Sequence, residues 1–139
     1  MPSLVFFDAN ILVYADDASA GRKRETARAL ISKHVTDGTA VVSLQVLQEY
    51  YAVATRKLGM APDRAEERVR VLAKGLVVCF EARDVIAAIE LQRLTHISFW
   101  DALIVQAARS AGVAVLYSED LQYDGSLGGI RTVNPFAGG

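Results

Sequence analysis

The stretch Leu4-Val5-Phe6-Phe7-Asp8-Ala9-Asn10-Ile11-Leu12-Val13-Tyr14-Ala15 decides the reading of the chain. Residues 4–7 form an unbroken apolar run, the pattern of a short strand covered on both faces. Asp8 ends the run, and residues 11–15 continue with a helical distribution of apolar positions. The same alternation recurs downstream. Residues 40–43, 76–80, 113–117 and 130–133 are short runs rich in Val, Ile and aromatics and read as strands. Residues 24–35, 44–58, 62–74, 82–94 and 98–111 carry helical period. Pro62 suits the first turn of a helix, where its missing N–H costs nothing, and Gly59, Gly75 and Gly112 follow helices as C-terminal stops. Strands alternating with helices predict an α/β fold in three α/β/α layers, with a central, mainly parallel sheet of four or five strands.

The chain has 139 residues, enough for a single domain over 1–139 that buries roughly two-thirds of its unfolded surface without covalent staples. Cys79 is the lone cysteine and has no partner for an internal disulfide. Its neighbours Val77, Val78 and Phe80 suggest a small hydrophobe within a strand, in a reducing, cytoplasmic setting. The apolar runs near the start are too short and too early for a signal peptide or a membrane span. A net charge of -1 provides no general basic field, so any RNA contact must be local. Arg22, Lys23, Arg24 and Arg28 form the one basic cluster, open to two readings: an RNA contact or a solvated helix face.

Ligands of open parallel sheets bind beyond the carboxyl ends of the strands, and several acids fall there. Asp8 directly follows the first strand; it reads equally as a site acid or as an N-cap, a role Asn10 shares. Asp101 opens a helix that is apolar nearly all round, so its carboxylate needs a partner. The spacing Ser98-Phe99-Trp100-Asp101 also suits a capping box. Asp120 lies just past the strand at 113–117, with Glu119 and Asp124 near enough to take its place, although Asp124-Gly125 is more simply a turn. Glu49 falls opposite the stripe Leu44, Leu47, Tyr51, Ala54 and Leu58, so periodicity alone places it in solvent.

Carboxylates held together repel unless a cation neutralises them, and an all-oxygen donor set favours Mg²⁺ or Mn²⁺ over zinc. His34 and His96 sit away from these acids and read as structural. There is no Cys and His pattern for zinc, no Gly-rich phosphate loop and no convincing Ser, His and Asp triad. Aspartyl-nucleophile phosphatases need a second Asp two residues after the first, where Asn10 stands. A receiver-type signalling domain would need an Asp ending its third strand and a Lys ending its fifth, and neither is in place.

Four segments, in order, resemble the PIN-domain toxins of VapBC toxin–antitoxin modules: Phe7-Asp8-Ala9-Asn10-Ile11-Leu12, Ser43-Leu44-Gln45-Val46-Leu47-Gln48-Glu49-Tyr50-Tyr51, Ser98-Phe99-Trp100-Asp101-Ala102-Leu103-Ile104 and Leu116-Tyr117-Ser118-Glu119-Asp120. The resemblance implies a Mg²⁺- or Mn²⁺-dependent endoribonuclease whose pocket acids are Asp8, Glu49, Asp101 and Asp120, with Asn10 and Ser118 in support. It further implies an RNA substrate, a VapB-like antitoxin that inserts an arginine, and a homodimer; Arg22, Lys23 and Arg24, from the basic cluster, are the candidate RNA contacts. The helix carrying Tyr50, Tyr51 and Val53 is the candidate interface. Ala9 departs from the family pattern, where threonine is frequent, and Glu119 beside Asp120 leaves two residues for the fourth acid. A PIN scaffold that binds RNA without cutting it is the other reading of the same resemblance.

Overall fold

The computed structural model describes residues 2–121 and 125–137. The elements run β1 (Val5–Phe7), α1 (Ala9–Ala15), α2 (Arg22–Asp37), β2 (Ala40–Ser43), α3 (Leu44–Arg56), α4 (Pro62–Ala73), β3 (Leu76–Val78), α5 (Ala82–Thr95), α6 (Phe99–Ala111), β4 (Val115–Tyr117), β5 (Gly125–Leu127) and β6 (Ile130–Val133). They form one sheet of order β3-β2-β1-β4-β6-β5, parallel except at β5. The sequence predicts every strand but β5. Gly125-Ser126-Leu127 carries no apolar run, and it pairs with β6 only because a tight turn at Gly128 and Gly129, both at positive φ, folds it back. Gly128 also lies where a Cβ would press on Leu91, Arg109 and Val105 side chains at 3.2 to 3.4 Å.

Local signals set most helix ends. Ser43 Oγ accepts from Val46 N at 3.2 Å and Ser98 Oγ from Asp101 N at 3.0 Å, each satisfying an orphan amide of a first turn. Gly38 and Gly112 end α2 and α6 in the left-handed conformation. Helices α1 to α4 pack among themselves on one face of the sheet, while α5 pairs with α6, which crosses β2, β3 and β6 on the other. Phe6, Phe7, Val41, Val42 and Leu116 fill the buried centre. Among the described residues no helix is long and apolar enough to cross a membrane.

Two expectations fail locally. Cys79 is exposed, one residue past β3, because that strand ends at Val78 and pairs through it with Ser43 at the sheet edge. Tyr50 cannot serve an interface: it is buried, its hydroxyl donating to Asp16 Oδ2 at 2.5 Å. His34 and His96 are structural as expected. His34 Nδ1 meets Thr39 Oγ1 at 2.7 Å and its ring stands edge-on to Phe7, while His96 caps α5 in the left-handed conformation.

Candidate functional site

Strand β1 is the point where the chain order turns: β2 and β3 lie to one side and β4 to the other. The crevice beyond the carboxyl ends of β1 and β4 is therefore the natural ligand position. Asp8 leaves β1 there, and Ser118, Glu119 and Asp120 leave β4 beside it. Parallel pairing of Phe7 with Tyr117 sets the two exits level, and Asp8 N donates to Tyr117 O at 3.0 Å.

Asp8 is both the N-cap of α1 and a buried acid, so the two readings of its sequence position hold together. Its Oδ1 accepts from Ala9 N at 2.7 Å and its Oδ2 from Ser118 Oγ at 2.7 Å. Burial pushes the Asp8 carboxyl up to about 6, against the pull of the Ser118 and Ala9 hydrogen bonds. The negative charges of Glu49 and Asp101 push it further in the same direction.

A second set of bonds fixes the loop after β4. Asn10 Nδ2 donates to Asp120 Oδ2 at 3.1 Å and to Ser118 Oγ at 3.4 Å, while Asn10 Oδ1 accepts from Glu119 N at 3.3 Å. Ser118 Oγ also accepts from Asp120 N at 3.3 Å, so one buried hydroxyl joins Asp8 to the Asp120 loop. Glu119 turns the other way: its Oε2 pairs with Lys23 Nζ at 2.6 Å and its Oε1 accepts from Tyr14 OH at 2.6 Å. Burial alone would raise the Glu119 carboxyl, but these two partners outweigh it and hold it below its ordinary value. Glu119 is thus paired with a cation, while among the described residues the Asp120 carboxylate is held only by the neutral Asn10, and both line the same cleft. Asp124 lies outside the described residues.

Glu49 is exposed, as periodicity requires, yet the exposed side of α3 is the wall of the site. It lines an open cleft of about 1050 Å³ with Asn10, Asp16, Asp17, Glu119 and Asp120. Gln45 Nε2 donates to Glu49 Oε1 at 2.8 Å and to Trp100 O at 3.5 Å, tying α3 to the start of α6 beside Asp101. Sequence reasoning missed Gln45; its position one helical turn before Glu49 was the available signal. Tyr14 was missed too, since its role depends on a partner far along the chain.

The basic cluster does not act as one face. Lys23 is committed to Glu119 and stands over the Tyr14 and Phe136 rings at 4.9 and 5.7 Å. Arg24 Nε is buried with no hydrogen-bond partner among the described residues, and Arg28 Nε donates to Ala15 O at 2.7 Å. Arg22 remains exposed at the start of α2.

Among the described residues no three His, Cys, Asp or Glu groups converge closely enough to hold a metal ion by themselves. The donor type nevertheless fits a hard cation. Mg²⁺ commonly keeps several waters and takes only one or two protein carboxylates. Asp8 and Asp101, which face one another electrostatically with no basic residue among the groups acting on Asp8, offer that number.

The profile of the PIN domain family matches residues 5–124. Among solved structures the chain is similar to a toxin–antitoxin complex from Klebsiella pneumoniae, at 18% identity over 95% of this chain and 98% of that one, with a TM-score of 0.69. It is similar as well to Mycobacterium tuberculosis VapC20, described as a Sarcin-Ricin loop cleaving toxin, at 22% identity over 91% and 98%, TM-score 0.66. A third is DNA-bound VapBC from Salmonella typhimurium, at 18% identity over 96% and 99%, TM-score 0.69. These likenesses carry the fold. No curated protein matches the chain.

Proposed function

The chain belongs to the PIN-domain family, and from that premise we propose that it is a Mg²⁺- or Mn²⁺-dependent endoribonuclease, the VapC-like toxin of a toxin–antitoxin pair acting in the cytoplasm. The observation that carries the reading is the charge state of the crevice. Among the described residues no basic side chain pairs with the buried Asp8, which burial and then the charges of Glu49 and Asp101 push up to about 6, an arrangement that a divalent ion would relieve. An acid kept in such a position for stability alone would be paired.

The residues divide the work. Asp8 and Asp101 hold the ion, and Ser118 and Ala9 N fix the orientation of the Asp8 carboxylate. Asp120, set by Asn10, completes the acidic lining. A Mg²⁺ held there would supply Lewis-acid polarisation of the scissile phosphate and acidify a water. Glu49, held by Gln45 at the cleft wall, would position a water for attack on phosphorus and take its proton as the P–O3′ bond breaks, and the leaving 3′ oxygen would take a proton from solvent, giving 3′-hydroxyl and 5′-phosphate ends.

A VapB-like antitoxin with an arginine directed into the cleft suits the same charges, since guanidinium pairs bidentately with carboxylates. Several of the similar structures are toxin–antitoxin complexes, which supports this partner. A homodimer follows from the same reading, and sedimentation of the free chain as a monomer at high concentration would remove it. The deciding experiment is cleavage of a mixed RNA pool by purified chain in Mg²⁺, Mn²⁺ and chelator, with Asp8→Asn alongside. Metal-dependent cutting that vanishes in the variant is expected; cutting that persists in the folded variant overturns the assignment, and a folded, metal-binding chain that cuts nothing favours RNA binding alone.

A further inference from the structure

Trp100 is the chain's one tryptophan, and it is 66% exposed, although folded proteins bury most of this side chain's surface. It occupies the first turn of α6, immediately before Asp101. Its carbonyl oxygen receives the same Gln45 nitrogen that holds Glu49, so the Trp100 backbone lies where α3, carrying Glu49, meets the start of α6, carrying Asp101. Phe99, half-buried and packed against the core, meets the indole edge-on, with ring centroids 5.4 Å apart and an interplanar angle of 63°. The indole is therefore backed by a rigid neighbour while most of its surface stays in water.

The crevice needs such a group. Its own acids repel phosphates until a cation is bound, and Lys23, which reaches the loop carrying Asp120, is already paired with Glu119. With a net charge of -1 there is no general field to gather an RNA strand. Affinity for a single strand must then come largely from contacts that carry no charge, and base stacking on an exposed aromatic is the principal one.

We infer that Trp100 is a base-stacking platform for single-stranded RNA, seating a nucleotide next to the bond presented to Asp8 and Asp101. This rests on the ribonuclease reading above. The indole contributes no proton and no ligand; it sets where the strand lies and so shapes which nucleotides flank the cut.

Because Trp100 is the one indole, its fluorescence reports on this site alone. The Glu49→Gln chain, which keeps Asp8 and Asp101 for the ion, is titrated in Mg²⁺ with a mixed-sequence single-stranded RNA pool and, separately, with duplex RNA. Saturable quenching by the single strands and not by the duplex is expected. In the otherwise native chain, Trp100→Ala should weaken single-strand binding by about tenfold and raise KM with kcat little changed, while Trp100→Phe restores most of the loss. Unchanged melting of Trp100→Ala would confirm that the exposed ring is not holding the fold. If the wild-type chain cleaves RNA but single strands leave the emission unmoved and Trp100→Ala binds like wild type, the platform is overturned and the nuclease stands. If single strands quench the emission but no metal-dependent cleavage occurs, the platform stands and the nuclease falls. Emission that follows protein concentration together with sedimentation as a dimer, and ignores RNA, would assign the ring to a second copy of the chain and overturn the inference.

Discussion

Two acids bracket helix α1, and their surroundings could hardly differ more. Asp8 caps its N-terminus and Asp16 its C-terminus. Both side chains are largely withdrawn from solvent, at 6% exposure for residue Asp8 and 7% for the Asp16 side chain. Asp16 is paired: Arg68 approaches its Oδ1 at 3.3 Å and Tyr50 OH donates to its Oδ2. Burial first, and then this bond to Asp16, raise the Tyr50 hydroxyl well above its ordinary range. Asp8 receives only neutral donors, with two further acids acting on it. Asp16 thus braces α1 against α3 and α4, whereas Asp8 has no cation partner among the described residues. Burial does not separate a structural acid from a functional one; the presence or absence of a cation does.

The contrast yields a graded set of expectations. Asp8→Asn should reduce metal-dependent cleavage to background, whereas Asp16→Ala should leave the activity of the folded fraction within a few-fold of wild type; product yield per folded molecule checks both. Stability should move in the opposite sense. The native Asp8 carboxyl titrates near 6 against an ordinary 3.8, so between those values the native chain keeps a proton that the unfolded chain has lost. The stability associated with Asp8 is full below pH 3.8 and is lost as the pH rises through about 6. In chelator, Asp8→Asn should therefore melt close to wild type at low pH and above it at neutral pH, by up to about 3 kcal/mol of stability. Equal melting of the two at every pH would remove the claimed electrostatic strain. Asp16→Ala should cost about 1–3 kcal/mol in denaturant unfolding, because it strands the buried Tyr50 hydroxyl. Mg²⁺ should raise the melting temperature of wild type and of Asp16→Ala by a few degrees and leave Asp8→Asn unmoved, as expected of binding to the native state. The smallest effect belongs to Glu119→Gln, which frees Lys23 and loosens the Asp120 loop; a few-fold fall in cleavage with unchanged Mg²⁺ binding would place Glu119 in support of the site.

Much of this was visible in the residues. The apolar runs located five strands, the signals at Ser98 and Gly112 set the ends of α6, and Asp8, Asp101 and Asp120 stood out by their places after strands or at a helix start, while Glu49 came only from the family resemblance. What the sequence could not convey was which way each acid would turn. Glu119 and Asp120 are adjacent, and only the folded chain brings Lys23 and Tyr14 against the first and Asn10 against the second. Glu49 shows the complementary case: periodicity places it correctly in solvent, but whether that solvent is bulk water or an acidic cleft depends on the neighbouring α1 and the loop after β4. Strand β5 and the exposure of Cys79 escaped for a similar reason, since pairing with β6 and the end of pairing at Val78 are set by neighbours and not by the residues themselves.

The sequence by itself therefore determined the alternation of elements, the caps and the set of acids available, all of which follow from interactions within a few residues along the chain. The tertiary structure decided which acids are neutralised. Arg68 reaches Asp16, and Lys23 reaches Glu119, across long separations, and among the described residues no cation reaches Asp8. Electrostatic energy depends on distance in space and on the removal of water, and both are set only when the helices close over the sheet.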